Sequence, residues 1–560
     1  MKQALYPENF PRPLKAVNEA ALQIWQAVKK NKNYKKEEFL NLVRRISSDQ
    51  KLPSLPSWAL YLLYFRQKKL TPSLLRLLKI KNVRSWSGIV PVSIFTKNFG
   101  CPARCVFCPT EARVPKSYFS DEPAVMRAIR NKYDPFKQVL SRLTQLFLSG
   151  HSVEKIELII QGGTFSAINR KYRENFVKRA FDAANVDTGQ NLLINNYPVL
   201  SEKSLLKSQK RNETAKQRIV GITVETRPDW CTDEEIKFLK SLGVTRVELG
   251  VQSLNDEVLD KVKRGHGIKE VIKATKALKD AGFKVCYHMM PGLPGATPKS
   301  DLLGFKKLFS DPSFCPDLLK IYPCVVTRDA ELTKWYLEKK YIPYDDRKLL
   351  PLLVEIKKII PHYVRILRLV RDIPATDIIA GSKLSNLRQN AQAELTRLNK
   401  HCRCVRCREV KIGNLGKATD LKLRITSYQA SGGEEYFLEY IDPQDETLYA
   451  LLRLRFPSFL KTSQKPLFPV LADSSIVREL HTYGLALPLG KKKKTSSQHK
   501  GLGQKLLEEA ERITLQNGLK KISVISGIGA REYYRKFGYQ LKEGYMVKYF
   551  TNAKRLPGTN

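Results

Sequence analysis

Three cysteines, Cys101, Cys105 and Cys108, stand at C-x3-C-x2-C spacing on one short loop, directly after an apolar run over residues 87–96. Soft thiolates suit iron–sulfur clusters, and three on one loop can hold three irons of a four-iron, four-sulfur (4Fe-4S) cluster. The fourth iron then stays open to a small molecule. A structural zinc knuckle would need a fourth ligand close by, and the neighbouring sequence offers none. A second triplet, Cys402, Cys404 and Cys407, follows His401 at C-x-C-x2-C spacing. It suits a structural zinc clasp if His401, Cys315 or Cys324 adds the fourth ligand, with a second iron–sulfur cluster as the alternative.

Other chemistry-bearing residues fall at the ends of apolar runs. Gln161-Gly162-Gly163-Thr164 follows one such run, and its glycines let backbone amides approach a ligand. Glu225-Thr226-Arg227-Pro228, Glu248 to Ser253 with Gln252, and His288 to Gly295 close three more. Charged and amide groups repeated at such ends suit the hydroxyls and carboxylate of a shared cofactor. Further along, Gln498-His499-Lys500-Gly501-Leu502-Gly503 opens an amphipathic segment that continues at Gln504. Unpaired amides at a helix start, together with its dipole, make a pyrophosphate cradle. Glu479 and His481 are two apart on a strand and so share one face, where they could polarise a substrate or position water. Tyr533 or Tyr534 could donate a proton to a leaving thiolate.

Elements of two kinds must position these groups. Runs at 156–160, 219–224, 244–249 and 283–289 read as buried strands, with helical segments at 233–242 and 269–281 between them. That alternation predicts a parallel sheet with crossover helices, a full or partial α/β barrel whose site gathers at the strands' C-terminal ends. Around 380–420 the pattern breaks. Beyond it, strands at 421–428, 435–440, 448–456 and 476–487, a helix at 502–516, a strand at 521–526 and a short helix at 531–537 predict a compact α+β domain. Helical spacing at 20–28, 39–46, 57–67 and 71–78, the last two opened by Ser57 and Thr71 as caps, predicts a small N-terminal helical domain.

Charge narrows the partner. The 560 residues carry 98 Lys and Arg against 54 Asp and Glu, a formal net charge of +44. Residues 1–90 hold 18 basic against 5 acidic side chains, and Lys491–Lys494 forms a basic run. Such an excess points to a polyanion, with nucleic acid first. No spanning apolar run or basic amphipathic anchor suggests a membrane. The first ten residues lack a signal-peptide core, and ten cysteines at metal-site rather than disulfide spacing predict the cytoplasm.

The cysteine loop followed by Gly162-Gly163 resembles the radical S-adenosylmethionine (radical SAM) enzymes. The resemblance implies S-adenosyl-L-methionine on the open iron, with Gly162, Gly163, Glu225, Arg227 and Gln252 around it. The order strand, Q-x-x-G-x-G, helix, strand resembles the GCN5-related N-acetyltransferase (GNAT) fold, which implies acetyl-coenzyme A. The pairing of the two resembles the catalytic-subunit family of Elongator, with its stand-alone archaeal and bacterial relatives. Segments 122–130, 132–136, 150–155, 162–165, 225–228, 250–253, 371–374, 476–484, 524–529 and 533–536 carry that likeness. It implies carboxymethylation of the wobble uridine, position 34, in the anticodon stem-loop of tRNA. A 5′-deoxyadenosyl radical would take hydrogen from the acetyl methyl, the resulting carbon radical would add to uracil C5, and thioester hydrolysis would follow. It further implies that Lys155, Glu479, Leu480, His481, Thr482, Leu502, Gly503, Gln504 and Tyr534 contact acetyl-coenzyme A. The rival expectation is a protein lysine acetyltransferase with a structural iron–sulfur domain. Two departures stand out: the first cysteine gap is the generic three rather than the wider eukaryotic one, and Thr110-Glu111 replaces a usual Gly-Gly. The expected boundaries are a basic helical tRNA-binding region over 1–85, the radical SAM domain over 86–370, a Cys-rich metal linker over 371–420, the GNAT domain over 421–550 and a tail over 551–560. Homo-oligomerisation and accessory subunits stay open.

Overall fold

A computed structural model describes residues 11, 13–79, 88–190, 200–411, 420–484 and 501–550. Four helices come first: Leu14–Lys30, Lys36–Asp49, Ser57–Arg66 and Pro72–Leu78. They close around their own core of Val17, Ile24, Phe39, Leu62 and Leu77. Thr71 caps the fourth helix by accepting from the Leu74 amide. Ser57, expected to cap the third, is its first helical residue, because Pro56 takes the cap position. Lys29, Lys30, Lys35, Arg44 and Arg45 are exposed on this bundle. Phe65 packs edge-on against Phe147 of helix Pro135–Leu148, which ties the bundle to the next domain.

That domain carries β1 (Ile89–Phe95), β2 (Lys155–Gln161), β3 (Arg218–Thr226), β4 (Arg246–Gln252), β5 (Lys284–Met289), β6 (Leu318–Ile321), β7 (Val326–Thr327), β8 (Arg365–Arg368) and β9 (Ile378–Ala380). Seven of them form one sheet in the order β1-β2-β3-β4-β5-β6-β8, parallel throughout. β1 and β8 remain edges, so the barrel is partial. β4 starts two residues later than expected. Gly243, at φ 85°, turns the chain after helix Asp233–Ser241, and the Val244 amide is used to close that turn on Leu239. The crossover helices start where chemistry dictates: Thr232 caps Asp233–Ser241, whose first turn holds Asp233, Glu234 and Glu235 beside the positive end of the dipole.

The break expected over 380–420 is only partial. Leu387–Arg397 is helical and buries Leu387, Ala391 and Leu395. A second sheet follows from β10 (Lys422–Ala430), β11 (Gly433–Ile441), β12 (Leu448–Phe456), β13 (Ser475–Thr482), β14 (Lys521–Val524), β15 (Gln540–Lys542) and β16 (Tyr545–Tyr549). Its order is β10-β11-β12-β13-β14-β16-β15, antiparallel except where β13 runs parallel to β14. Helix Leu502–Gln516 packs on it. β15 and β16 were not anticipated, because Lys542-Glu543-Gly544 breaks their apolar pattern.

The two sheets meet through ions as well as apolar surface. Arg478 of β13 pairs with Asp317 before β6 and with Glu435 of β11, all three buried. Arg455 joins Asp280, and Lys279 sits between Asp317 and Glu435. Gly527 lies so close to β3 that a Cβ there would fall 2.0 Å from the Val220 carbonyl.

Candidate active site

Parallel strands deliver their C-terminal ends to one rim, and the loop after β1 folds over it. Cys101, Cys105 and Cys108 line a cavity of about 730 Å³ together with Gly163, Glu225, Arg227 and Gln252. Cys105 is buried and the other two are half-buried. The Sγ of Cys101 lies 3.4 Å from Thr164 Oγ1. Thr110 and Glu111, in place of two glycines, act as braces. The Thr110 amide donates to the Asp329 carbonyl at 2.9 Å, and Glu111 accepts from the Ser120 amide at 2.9 Å while facing Arg328 at 3.5 Å.

Gly162 and Gly163 turn the chain beneath this loop at φ 141° and 86°. A Cβ on Gly162 would fall 2.1 Å from Thr96 Oγ1, so glycine is required there. Gln252 adopts φ 73°, and its buried Oε1 has no partner among the described residues. A strained residue with an orphaned acceptor at a cavity wall points to a ligand donor. Glu225 accepts from the Tyr118 hydroxyl at 2.7 Å and faces Lys320 at 3.2 Å. Burial works against its charge, yet Lys320, then His288, hold its carboxyl below the usual range. Arg227 is occupied differently. Its fork donates to Asp229 at 2.9 Å and to the Arg264 carbonyl at 2.7 Å, bracing the rim.

Of the layer beneath, the strand-end reading named Glu248 and His288 and missed Arg246 and Lys320. Arg246, Glu248, His288 and Lys320 line the barrel interior. His288 Nε2 lies 2.8 Å from Glu248, Lys320 pairs with Glu248, and Arg246 pairs with Glu157 at 2.6 Å. Burial opposes the Glu248 charge, but Lys320 and the hydrogen bond with His288 hold its carboxyl well below the usual range. Glu248, Cys286 and His288 converge at metal-like spacing; the Lys320 ammonium already supplies the cation, making this an ion-pair cluster. The available signal was a charge inside the otherwise apolar run Leu318-Leu319-Lys320-Ile321.

A second cavity of about 1510 Å³ abuts the first, and Pro91, Ser93, Ile159, Gln161 and Glu248 line both. Glu479, Leu480, His481 and Tyr534 lie on its walls. Glu479 accepts from Arg453 at 2.8 Å and faces Lys284 at 3.5 Å. Burial again opposes the charge, and Lys284, then Arg453, lower its pKa to about 2. Burial lowers that of His481 to about 4, and its buried Nε2 has no partner among the described residues. The structure separates the two tyrosines. Tyr534 is buried on this cavity, and burial plus neighbouring Tyr533 push its phenol up. Tyr533 is 37% exposed, with its hydroxyl against the helix start at Gly503.

Gly501, at φ 72°, is the cap residue of helix Leu502–Gln516, with Leu502 and Gly503 buried in its first turn. Gln504 donates to Glu508 at 2.8 Å, and Thr482 ends β13. Gln498 and Lys491–Lys494 lie outside the described residues. Lys155 opens β2, opposite Ile89 and Arg218, at the end of the barrel away from the cysteine rim and off the walls of both cavities. Burial lowers its pKa.

The thiols of Cys402, Cys404 and Cys407 lie within 4.8 Å of one another. Sulfurs that meet one zinc at about 2.3 Å each must stand that close. The first triplet is not among the groups that close to single-ion spacing, which fits sulfurs holding separate irons. None of the three expected fourth ligands joins the second triplet. His401 is exposed and lies outside the close group of the three thiols, Cys315 is held against the Asp311 carbonyl, and Cys324 is locked into an apolar cluster with Val106.

The radical SAM superfamily profile matches residues 96–304, and that of the Radical_SAM C-terminal domain matches 316–397. A tRNA uridine(34) acetyltransferase of Dehalococcoides mccartyi (strain CBDB1) is 44% identical over 478 residues, covering 83% of this chain and 98% of the relative. The chain belongs to the family of Elongator complex protein 3 and the tRNA uridine(34) acetyltransferases. Within that family, Elongator complex protein 3 of Homo sapiens is 39% identical over 487 residues, 84% of this chain and 86% of the relative. The solved archaeal Methanocaldococcus infernus Elp3, with its N-terminus deleted (1–46), matches with a TM-score of 0.70 at 40% identity, over 83% of this chain and 100% of that one. Radical SAM membership implies a 4Fe-4S cluster and S-adenosylmethionine at the first cysteine loop, and the donor set there fits both.

Proposed function

We propose that this chain modifies tRNA, forming 5-carboxymethyluridine at wobble position 34 from acetyl-coenzyme A by radical SAM chemistry. The observation that carries the reading is the wall shared by the two cavities, one holding the three thiols and the other Glu479, His481 and Tyr534. When bound, the cluster and S-adenosylmethionine supply the one-electron chemistry that makes an acetyl methyl reactive. Glu225, Gln252 and the Gly162-Gly163 turn orient the cofactor. The sheet of β10–β16 is read as a GNAT domain, with the amides after Gly501 receiving the pyrophosphate of acetyl-coenzyme A. Glu479 stays ionised and fixes the neutral His481 side of the pocket, where Nε2 meets the thioester or its attacking water. Tyr534, protonated because it is buried, donates to the leaving thiolate. Lys155 and Thr482 are assigned to the acetyl-coenzyme A site by family likeness.

Cys402, Cys404 and Cys407 hold a structural zinc, completed by a ligand from outside the triplet. The exposed lysines and arginines of the N-terminal helices, together with Lys491–Lys494, bind the phosphates of the anticodon stem-loop in the cytoplasm. A target base splayed from its stack then enters between the domains. The test is mass spectrometry of nucleosides from tRNA incubated with reconstituted protein, S-adenosylmethionine and acetyl-coenzyme A. Appearance of 5-carboxymethyluridine, abolished by Cys105→Ser, is expected. Peptide acetylation that survives Cys105→Ser, with no modified nucleoside, would instead establish a protein acetyltransferase.

A further inference from the structure

Arg264 lies between helices Asp256–Lys261 and Ile268–Asp280 and has no part in the reading above. It is 6% exposed. Among the described residues no carboxylate stands within ion-pair distance of it, unlike Arg227 beside it, which has Asp229. Nη1 is 3.4 Å from Cys105 Sγ, Nη2 donates to the Gly250 carbonyl at 2.5 Å, and Nε is buried without a partner. A guanidinium keeps its proton inside proteins, and a buried cation needs a counter-charge. The sulfur side is the anion within its reach.

The surroundings are shaped for this contact. A Cβ on Gly250 would fall 2.6 Å from Nη2, so glycine makes the room. The Arg264 amide donates to the Leu259 carbonyl at 2.9 Å, and its own carbonyl accepts from Arg227. Two residues earlier, the Val262 carbonyl accepts from the Val106 amide at 3.2 Å. One short stretch therefore grips the cysteine loop by its backbone and touches its sulfur.

We infer that Arg264 tunes the cluster of the first cysteine loop: its N–H···S hydrogen bond to Cys105 favours the reduced state and raises the reduction potential. Hydrogen bonds to the sulfurs and local charge set cluster potentials. Reduction adds one electron, supplied by an added reductant such as dithionite, with no bond made or broken. A cation at contact distance stabilises the extra negative charge. The inference rests on the first loop holding a cluster.

The full chain, Arg264→Met and Arg264→Lys are reconstituted anaerobically, assayed for iron, and titrated potentiometrically by electron paramagnetic resonance. Arg264→Met should keep its iron and become at least tenfold harder to reduce, a fall of about 59 mV for a one-electron couple. Arg264→Lys, which keeps charge but loses the fork, should fall between. An unchanged potential in iron-loaded Arg264→Met overturns the inference. If that variant holds no iron, Arg264→Lys decides: a lowered potential supports the inference and an unchanged one overturns it. Failure of both to load iron also overturns it, in favour of a purely structural role. Absence of iron from the parent chain would instead refute the cluster reading itself.

Discussion

Three histidines are kept neutral by burial. His266, His362 and His481 each have a pKa lowered from 6.5 to about 4. The unfolded chain takes up these protons near pH 6.5 and the folded chain only near 4. The stability they contribute is complete above 6.5 and lost as pH falls toward 4, by up to about 3 kcal/mol each. Melting temperature should fall between pH 6.5 and 5, less steeply in His481→Asn; a profile unchanged by that substitution would contradict the assignment. Tyr534→Phe should slow tRNA-dependent thioester cleavage by about 10²–10⁴, the usual range for a lost general acid, while Tyr533→Phe should leave the chemical step near normal. At this scale the sequence displayed the cysteines, glycines and strand-end charges, because their spacing is local. It hid Arg264, which meets Cys105 across 159 positions, and it could not choose between adjacent tyrosines.

Two elements carry constraints that single substitutions expose. Gly162→Ala would drive a methyl into Thr96 at the turn after β2. Loss of S-adenosylmethionine binding is expected with iron retained, measured by equilibrium dialysis. The second cysteine triplet closes the junction where Arg408, from short helix Val405–Arg408, pairs bidentately with Glu439 of β11 at 3.2 and 2.9 Å. Cys404→Ser should remove one metal equivalent per chain by elemental analysis and lower the melting temperature, whereas an unchanged metal content would refute the clasp. Strands and crossover helices were legible because apolar periodicity repeats within each element. Helix Leu387–Arg397 was not: Gln389, Ala393, Thr396 and Arg397 face solvent, Arg388 and Gln392 turn toward the Ile366 carbonyl and the Cys407 thiol, and the three residues it buries are too few to stand out.

At the scale of the molecule, charge does two jobs. The exposed excess suits a polyanion, while a buried set holds the sheets together. Asp317 faces Arg478, Lys279 and Arg453, and all four side chains are at most 1% exposed. Removing one partner from such a group leaves charge uncompensated and costs about 3–5 kcal/mol. Asp317→Ala should therefore split a single urea transition into two, one per sheet, followed by circular dichroism and intrinsic fluorescence; a single unshifted transition would rule out this coupling. No periodicity announces such pairs, since the partners come from different domains. Among the described residues no helix is long and apolar enough to cross a membrane.

Because Ser93, Ile159 and Gln161 face both hollows, the two halves communicate through a partition only one side chain thick. A fragment made reactive on one side would have only that partition to cross before reaching the other. A bulky plug at Ser93 would leave each half able to pass its own binding assay, and the whole idle.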